Sequence, residues 1–200
     1  MTLDDVLGTA TPLIRRVDTI LRTTGAPPDH AVWTELRRVR LLPGDAVHAV
    51  AALRPADLAE APPDLQAAAD TCTALAGSLP GPGEWAGEAA EAYDRTRLTV
   101  ADQVSGTPDS LGSRLHATAR LADSLITWMR DTQAKLAMTL VAALASVEAV
   151  ALTGNAASLA SDDEIEAAAK LASQILQVVG DAYDQADDLV RASRELRVAA

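Results

Sequence analysis

Ile165, Ala168, Ala172, Ile175, Val179, Ala182, Ala186, Leu189, Ser193 and Leu196 follow one another in steps of three and four without exception. A strand has period two and would scatter these residues over both faces; a helix gathers them into one stripe. A seam kept over more than four heptads belongs to a long helix laid against other helices. Ser161, with Glu164 three residues on, forms a capping box that opens this helix near Ser161. The preceding stretch repeats the spacing: Leu111, Leu115, Thr118, Ala122, Leu125, Met129, Thr132, Leu136, Thr139, Ala143, Ser146 and Val150. Gly154-Asn155 ends it. The spacing predicts two helices, each longer than about 25 residues. One ends near Thr153 and one starts near Ser161, and they form an antiparallel hairpin through residues 154–161.

The rest of the chain supports an all-α fold, an elongated helical bundle with long antiparallel hairpins. Apolar residues make up 48 %, but there is no Phe and aromatics are 2 %. A core of Ala, Leu and Val suits close-packed helices, and no segment alternates apolar and polar residues long enough to predict a strand. Leu3, Val6, Ala10, Leu13, Val17 and Ile20 mark a first helical stripe. Pro12 interrupts it, so Thr11 is expected as an N-cap with Pro12 at the first helical position. Gly25-Ala26-Pro27-Pro28 closes this segment. Short helices are expected over Asp29–Arg40, with Trp33, Leu36 and Val39 inward, and over Asp45–Leu53. Arg37, Arg38 and Arg40 look like a solvated face. A proline-punctuated connector, Pro55–Pro63, divides an N-terminal helical subdomain, 1–60, from a helical-bundle domain, 61–200. Leu65, Ala68, Cys72, Leu75 and Leu79 resume the helical spacing until Pro80-Gly81-Pro82-Gly83 stops it. Glu88 and Glu91 fit the first turn of the next helix, where acidic side chains complement the dipole. Ser105-Gly106-Thr107-Pro108 breaks that helix, and Asp109 or Ser110 caps its successor.

Composition and motifs narrow the function by what they lack. The net charge is −11, with no basic stripe, so neither nucleic acid nor an anionic membrane surface is an expected partner. Lys135 and Lys170 are the only lysines among 17 basic residues; with the abundant alanine, this points to a GC-rich genome such as an actinobacterium's. The first residues lack a basic segment followed by an apolar one, so no Sec-type signal peptide is expected. Met138–Leu152 is strongly apolar but too short to span a bilayer as a helix. It is expected to be buried on several sides rather than to cross a membrane. His30, His48 and His116 are isolated, and Cys72 is the single cysteine. No metal-ligating pair, P-loop, nucleophile elbow or disulfide can be built from them. Cys72, at a core spacing, suits a buried small hydrophobe. No catalytic, cofactor-binding or metal-binding residue is nominated, and a non-catalytic protein acting by helix contact is expected. Because Ala168, Ala172, Ala182 and Ala186 fill so much of the last seam, the chain is expected to complete its burial against a protein partner or a copy of itself, a homodimer being favoured.

One stretch carries a more specific signal. Trp85-Ala86-Gly87-Glu88-Ala89-Ala90-Glu91-Ala92-Tyr93 resembles the turn and second-helix start of the WXG100 family, the small helical-hairpin substrates of type VII secretion systems. Tyr183-Asp184-Gln185-Ala186-Asp187 resembles that family's C-terminal Tyr-x-x-x-Asp/Glu secretion signal. The resemblance implies that Trp85 and Gly87 form the turn of a helical hairpin. It further implies that Tyr183 and Asp187, beside that turn, complete a surface read by a secretion ATPase or chaperone. It also implies export by a signal-peptide-independent route, cytoplasmic before and secreted or cell-surface after, with a WXG100-like or secretion component as partner. The chain departs from the family in its greater length, in its N-terminal subdomain and in the break at Pro108. A larger secretion substrate or secretion-associated protein is therefore expected, with a cytoplasmic helical adaptor or regulatory module as the alternative. For Trp85 the competing reading is a loop anchor that plugs the core; for Tyr183 it is a core aromatic flanking the seam.

Overall fold

In a computed structural model, residues 2–153 and 160–198 are described, and among them every regular element is helical. Two compact units form, each from two separate stretches of chain: residues 1–54 with 127–188, and residues 55–126 with 189–200.

The first unit holds α1 (Leu3–Thr23), α2 (Val32–Val39), α3 (Pro43–Ala51), the second half of α6 (Leu111–Leu144), the short α7 (Val147–Ala151) and most of α8 (Asp162–Val198). The seam of α8 faces inward over its part from Ala168 to Ala182: Ala168, Ala172, Ile175, Val179 and Ala182 are buried, joined by Leu171 and Leu176. The first four pack with Val6, Ile14, Val17 and Ile20 of α1, Val47 of α3, and Leu136 and Leu140 of α6. This part of the alanine seam is thus covered from within the chain. α6 and α8 run antiparallel. The Trp128 indole N–H donates to the Ala182 carbonyl (2.9 Å), and Lys170 pairs with Glu148, so later residues of one segment meet earlier residues of the other. The predicted connection at 154–159 lies outside the described residues.

The structure corrects two expectations. First, α1 is capped by Thr2 and runs unbroken through Pro12. The Thr2 hydroxyl accepts from the Asp5 N–H (3.3 Å) while the Asp5 carboxylate accepts from the Thr2 N–H (2.7 Å). Thr11, instead of capping, donates its hydroxyl to the Leu7 carbonyl (2.6 Å). Buried Leu3, Val6, Ala10 and Ile14 hold the helix on both sides of the proline, and that burial outweighs one missing backbone bond. Second, the long helix ends at Leu144 rather than near Thr153. Ser146 takes an extended conformation and its hydroxyl accepts from the Ala149 N–H (3.2 Å), capping α7. A serine in this role diverts the backbone from the continuous helix. Arg37, Arg38 and Arg40 are all exposed, as the solvated-face reading has them, but Arg38 is also engaged in ion pairs. It reaches Asp181 (2.8 Å) and Asp184 (2.5 Å) on α8, and Glu35 on its own helix.

In the second unit, a 3₁₀ turn (Pro55–Leu58) leads into α4 (Ala61–Ser78), which forms an antiparallel hairpin with α5 (Glu88–Val104). The hydroxyls of Thr73 and Ser105 meet at 3.0 Å across it. Ser110 caps α6, its hydroxyl accepting from the Ser113 N–H (3.4 Å). Gly112 lets this helix start close against both others: a Cβ there would lie 3.5 Å from Cys72 Cβ and 3.4 Å from the Val104 carbonyl oxygen. The core is thin. Ala69, Ala90, Ala119 and Ile126 are buried, Cys72 is half-buried, and Leu75, expected on the inner stripe of α4, is 54 % exposed.

Candidate partner-binding surfaces

The Trp85 turn is built by backbone constraints. Leu79 ends α4 in an extended conformation, and Pro80 and Pro82 forbid the helix from continuing. The Trp85 N–H donates to the Pro82 carbonyl (3.1 Å), closing a tight loop. Gly87 then starts α5 with φ 96 and ψ -176 degrees. That backbone region is open essentially to glycine alone. A Cβ at Gly87 would meet nothing within 4 Å, so dihedral angle rather than space demands glycine. Tyr93, in the second turn of α5, donates its hydroxyl to the Pro80 carbonyl (2.8 Å), tying the helix back to the loop. The Trp85 ring leans on Tyr93 with centroids 5.9 Å apart and planes inclined at 46°. This is a tilted aromatic pair. Trp85 remains 55 % exposed, so it does not plug the core.

Tyr183 and Asp187 lie one turn apart on α8, and both are exposed, Tyr183 at 39 %. Tyr183 is therefore not a buried seam aromatic. The turn bearing it is held from two sides. Trp128 of α6 donates to the carbonyl of Ala182, and Arg38 of α2 bridges Asp181 and Asp184. These carboxylates, Asp184 foremost, hold the guanidinium even more firmly protonated than usual. Arg38 lies so close over α8 that a Cβ on Gly180 would come within 2.7 Å of its guanidinium. Trp85 and Gly87 belong to the second unit, Tyr183 and Asp187 to the first.

A third surface is an unexpected one. The apolar run Met138–Leu152 is not buried on several sides. Met138 is 71 % exposed, Val147 78 %, Val150 71 % and Val141 37 %. Leu136, Leu140 and Ala143 face the core, and because the run is apolar all round, its other face meets solvent. The signal was legible in the absence of any charged face between residues 138 and 145. Beside Met138 a cavity of about 370 Å³ opens between α6 and α8, with Thr132, Lys135, Val178 and Gln185 among its walls.

No group of three or more His, Cys, Asp or Glu side chains among the described residues could hold a metal ion, and no described helix is long and apolar enough to cross a membrane. No family model matches the sequence, and no curated protein or solved structure matches the chain.

Proposed function

We propose that this protein is a type VII secretion substrate or secretion-associated protein, non-catalytic, that acts through helix-to-helix contacts with a protein partner. The observation that carries the reading is the Trp85 turn: Trp85-Ala86-Gly87 joins the two helices of an antiparallel hairpin and leaves a large aromatic ring half in solvent. An indole held by a rigid loop is an inexpensive anchor for a partner, since little side-chain freedom remains to be lost on binding. Tyr183 and Asp187 support the same reading, presenting an aromatic and a carboxylate on one exposed turn of α8. On this reading the chain is cytoplasmic before export and secreted or surface-bound after it.

The test is export from a host with an active type VII system. Tyr183→Ala with Asp187→Ala is expected to abolish export, and Trp85→Ala to reduce it. All three positions are exposed, so helical content and the thermal melt should stay unchanged. Export of the double variant at the wild-type level would refute the reading. A second reading, a helical adaptor with no secretion role, draws on the exposed apolar face of α6 and α7, which shares no residue with either motif.

A further inference from the structure

We propose that the outward face of α6 is a self-association surface, and that its occupant is the same face of a second copy of this chain. The face is a single file of side chains, Ala134, Met138, Val141 and Ala145, all exposed and separated by steps of four, three and four. The helical ladder reaches the last of them, the Ala145 N–H donating to the Val141 carbonyl (3.2 Å). That order, small-large-large-small with symmetric spacing, is unchanged when the helix is reversed about its midpoint. Two copies packed antiparallel therefore set Met138 against the second copy's Val141 and Ala134 against its Ala145, each contact occurring twice. Such a self-complementary patch is what a closed two-fold interface requires. The alanines at its ends allow the backbones to approach closely.

Charge points to the same occupant. The chain carries a net −11, so two copies repel over most of their surface. Between Asp131 and Glu148 there is no acidic residue, and Lys135 is the only charge. Glu148, at the far end, is already paired with Lys170. The face thus carries no acidic side chain of its own, and Asp181 of α8, which lines the adjoining cavity, is paired with Arg38, so a second acidic copy meets little repulsion there. It is narrow beside the roughly 800 Å² that each partner contributes to a standard interface, so the pair should be reversible, with a dissociation constant in the micromolar range. Val147 and Val150 of α7, the next helix in the chain, are exposed as well. Pairing does not depend on export: a chain that is never secreted would pair in the same way.

Sedimentation velocity of the full chain, from low to hundreds of micromolar, tests it. The expected result is a concentration-dependent monomer–dimer equilibrium. Met138→Asp should weaken it by at least about tenfold, and Val141→Lys should do the same. Circular dichroism of both variants should remain that of the wild type, because neither side chain belongs to the core. Ala134→Cys with Ala145→Cys, in a Cys72→Ser background, should give a disulfide-linked dimer on mild oxidation faster than a cysteine placed at exposed Ala67. A strict monomer across the range would overturn the proposal. So would a dimer indifferent to Met138→Asp and Val141→Lys, or cross-linking no faster than the Ala67 control.

Discussion

Gly44 sits in the first turn of α3, where an alanine would ordinarily be an improvement. Alanine is the better helix former by about 1 kcal/mol, so Gly44→Ala judged on local structure should stabilise. The tertiary structure reverses that expectation. Leu42, the N-cap residue of α3, has no side chain able to accept a hydrogen bond, and the Gly44 N–H donates instead to the carboxylate of Asp18 on α1, 3.2 Å to each oxygen. A Cβ on Gly44 would fall 2.4 Å from Asp18 Oδ2 and 3.4 Å from Ile14 Cγ2. Asp18 would have to swing away, removing a helix cap that is typically worth about 1–2 kcal/mol. The added methyl would also press on Ile14, which is buried in the core. Overpacking of this kind costs about 1–3 kcal/mol. Set against the helix-propensity gain, Gly44→Ala should destabilise by about 2 kcal/mol. Urea unfolding followed by circular dichroism measures this directly. Gly8→Ala in α1, where an added Cβ meets nothing within 4 Å, is the internal control and should be neutral or stabilising. In a double-mutant cycle, Asp18→Ala should relieve much of the Gly44→Ala penalty, giving a coupling of at least about 1 kcal/mol. A Gly44→Ala protein as stable as wild type, or additive effects in the cycle, would refute the idea that Asp18 occupies the space a side chain at 44 would need.

Titration and core truncation offer three more tests. Burial raises the Asp18 pKa, more than the Gly44 N–H lowers it; a raised acid contributes stability at low pH and loses it as pH rises through its folded value. Asp18→Asn keeps an acceptor for Gly44 and removes that loss, so its stability relative to wild type should improve as pH rises from acid to neutral in denaturant titrations, and a relative stability flat with pH would contradict this. The Glu164 carboxyl is held below its usual range by the Ser161 N–H first and by Arg16 second, so its contribution exists at neutral pH and disappears on acidification; thermal melts of Glu164→Gln should show a shallower acid-induced fall than wild type. Leu176→Ala, at a fully buried site of α8, should cost about 3 kcal/mol, whereas Leu75→Ala, at a half-exposed site of α4, should cost well under half of that in the same urea assay.

Much of the helical order is local in origin and could be read directly. The start of α8 at the Ser161–Glu164 box rests on contacts three residues apart: the Ser161 N–H donates to Glu164 at 2.9 Å. The start of α5 just after Gly87 and the cap at Ser110 also depend only on short-range spacing. Where a local signal competed with packing, the reading failed. Pro12 announces a break, yet apolar contacts on either side carry α1 through it.

That the chain is helical was therefore settled in the order of its residues, because periodicity, capping and proline placement act over a few positions and need no knowledge of the rest. Which faces are covered was settled only in the folded molecule. Stripe positions on α4 and on α8 have the same spacing, yet Leu75 is exposed and Ile175 is buried, since burial depends on what arrives from elsewhere in the chain. The regrouping of residues 127–188 with 1–54, the lodging of Arg38 against Asp181 and Asp184, and the capping of α3 by Asp18 are likewise contacts between residues distant in sequence. The exposed face of α6 has the same origin: a helix that is apolar on every side can be covered on only as many sides as it has neighbours.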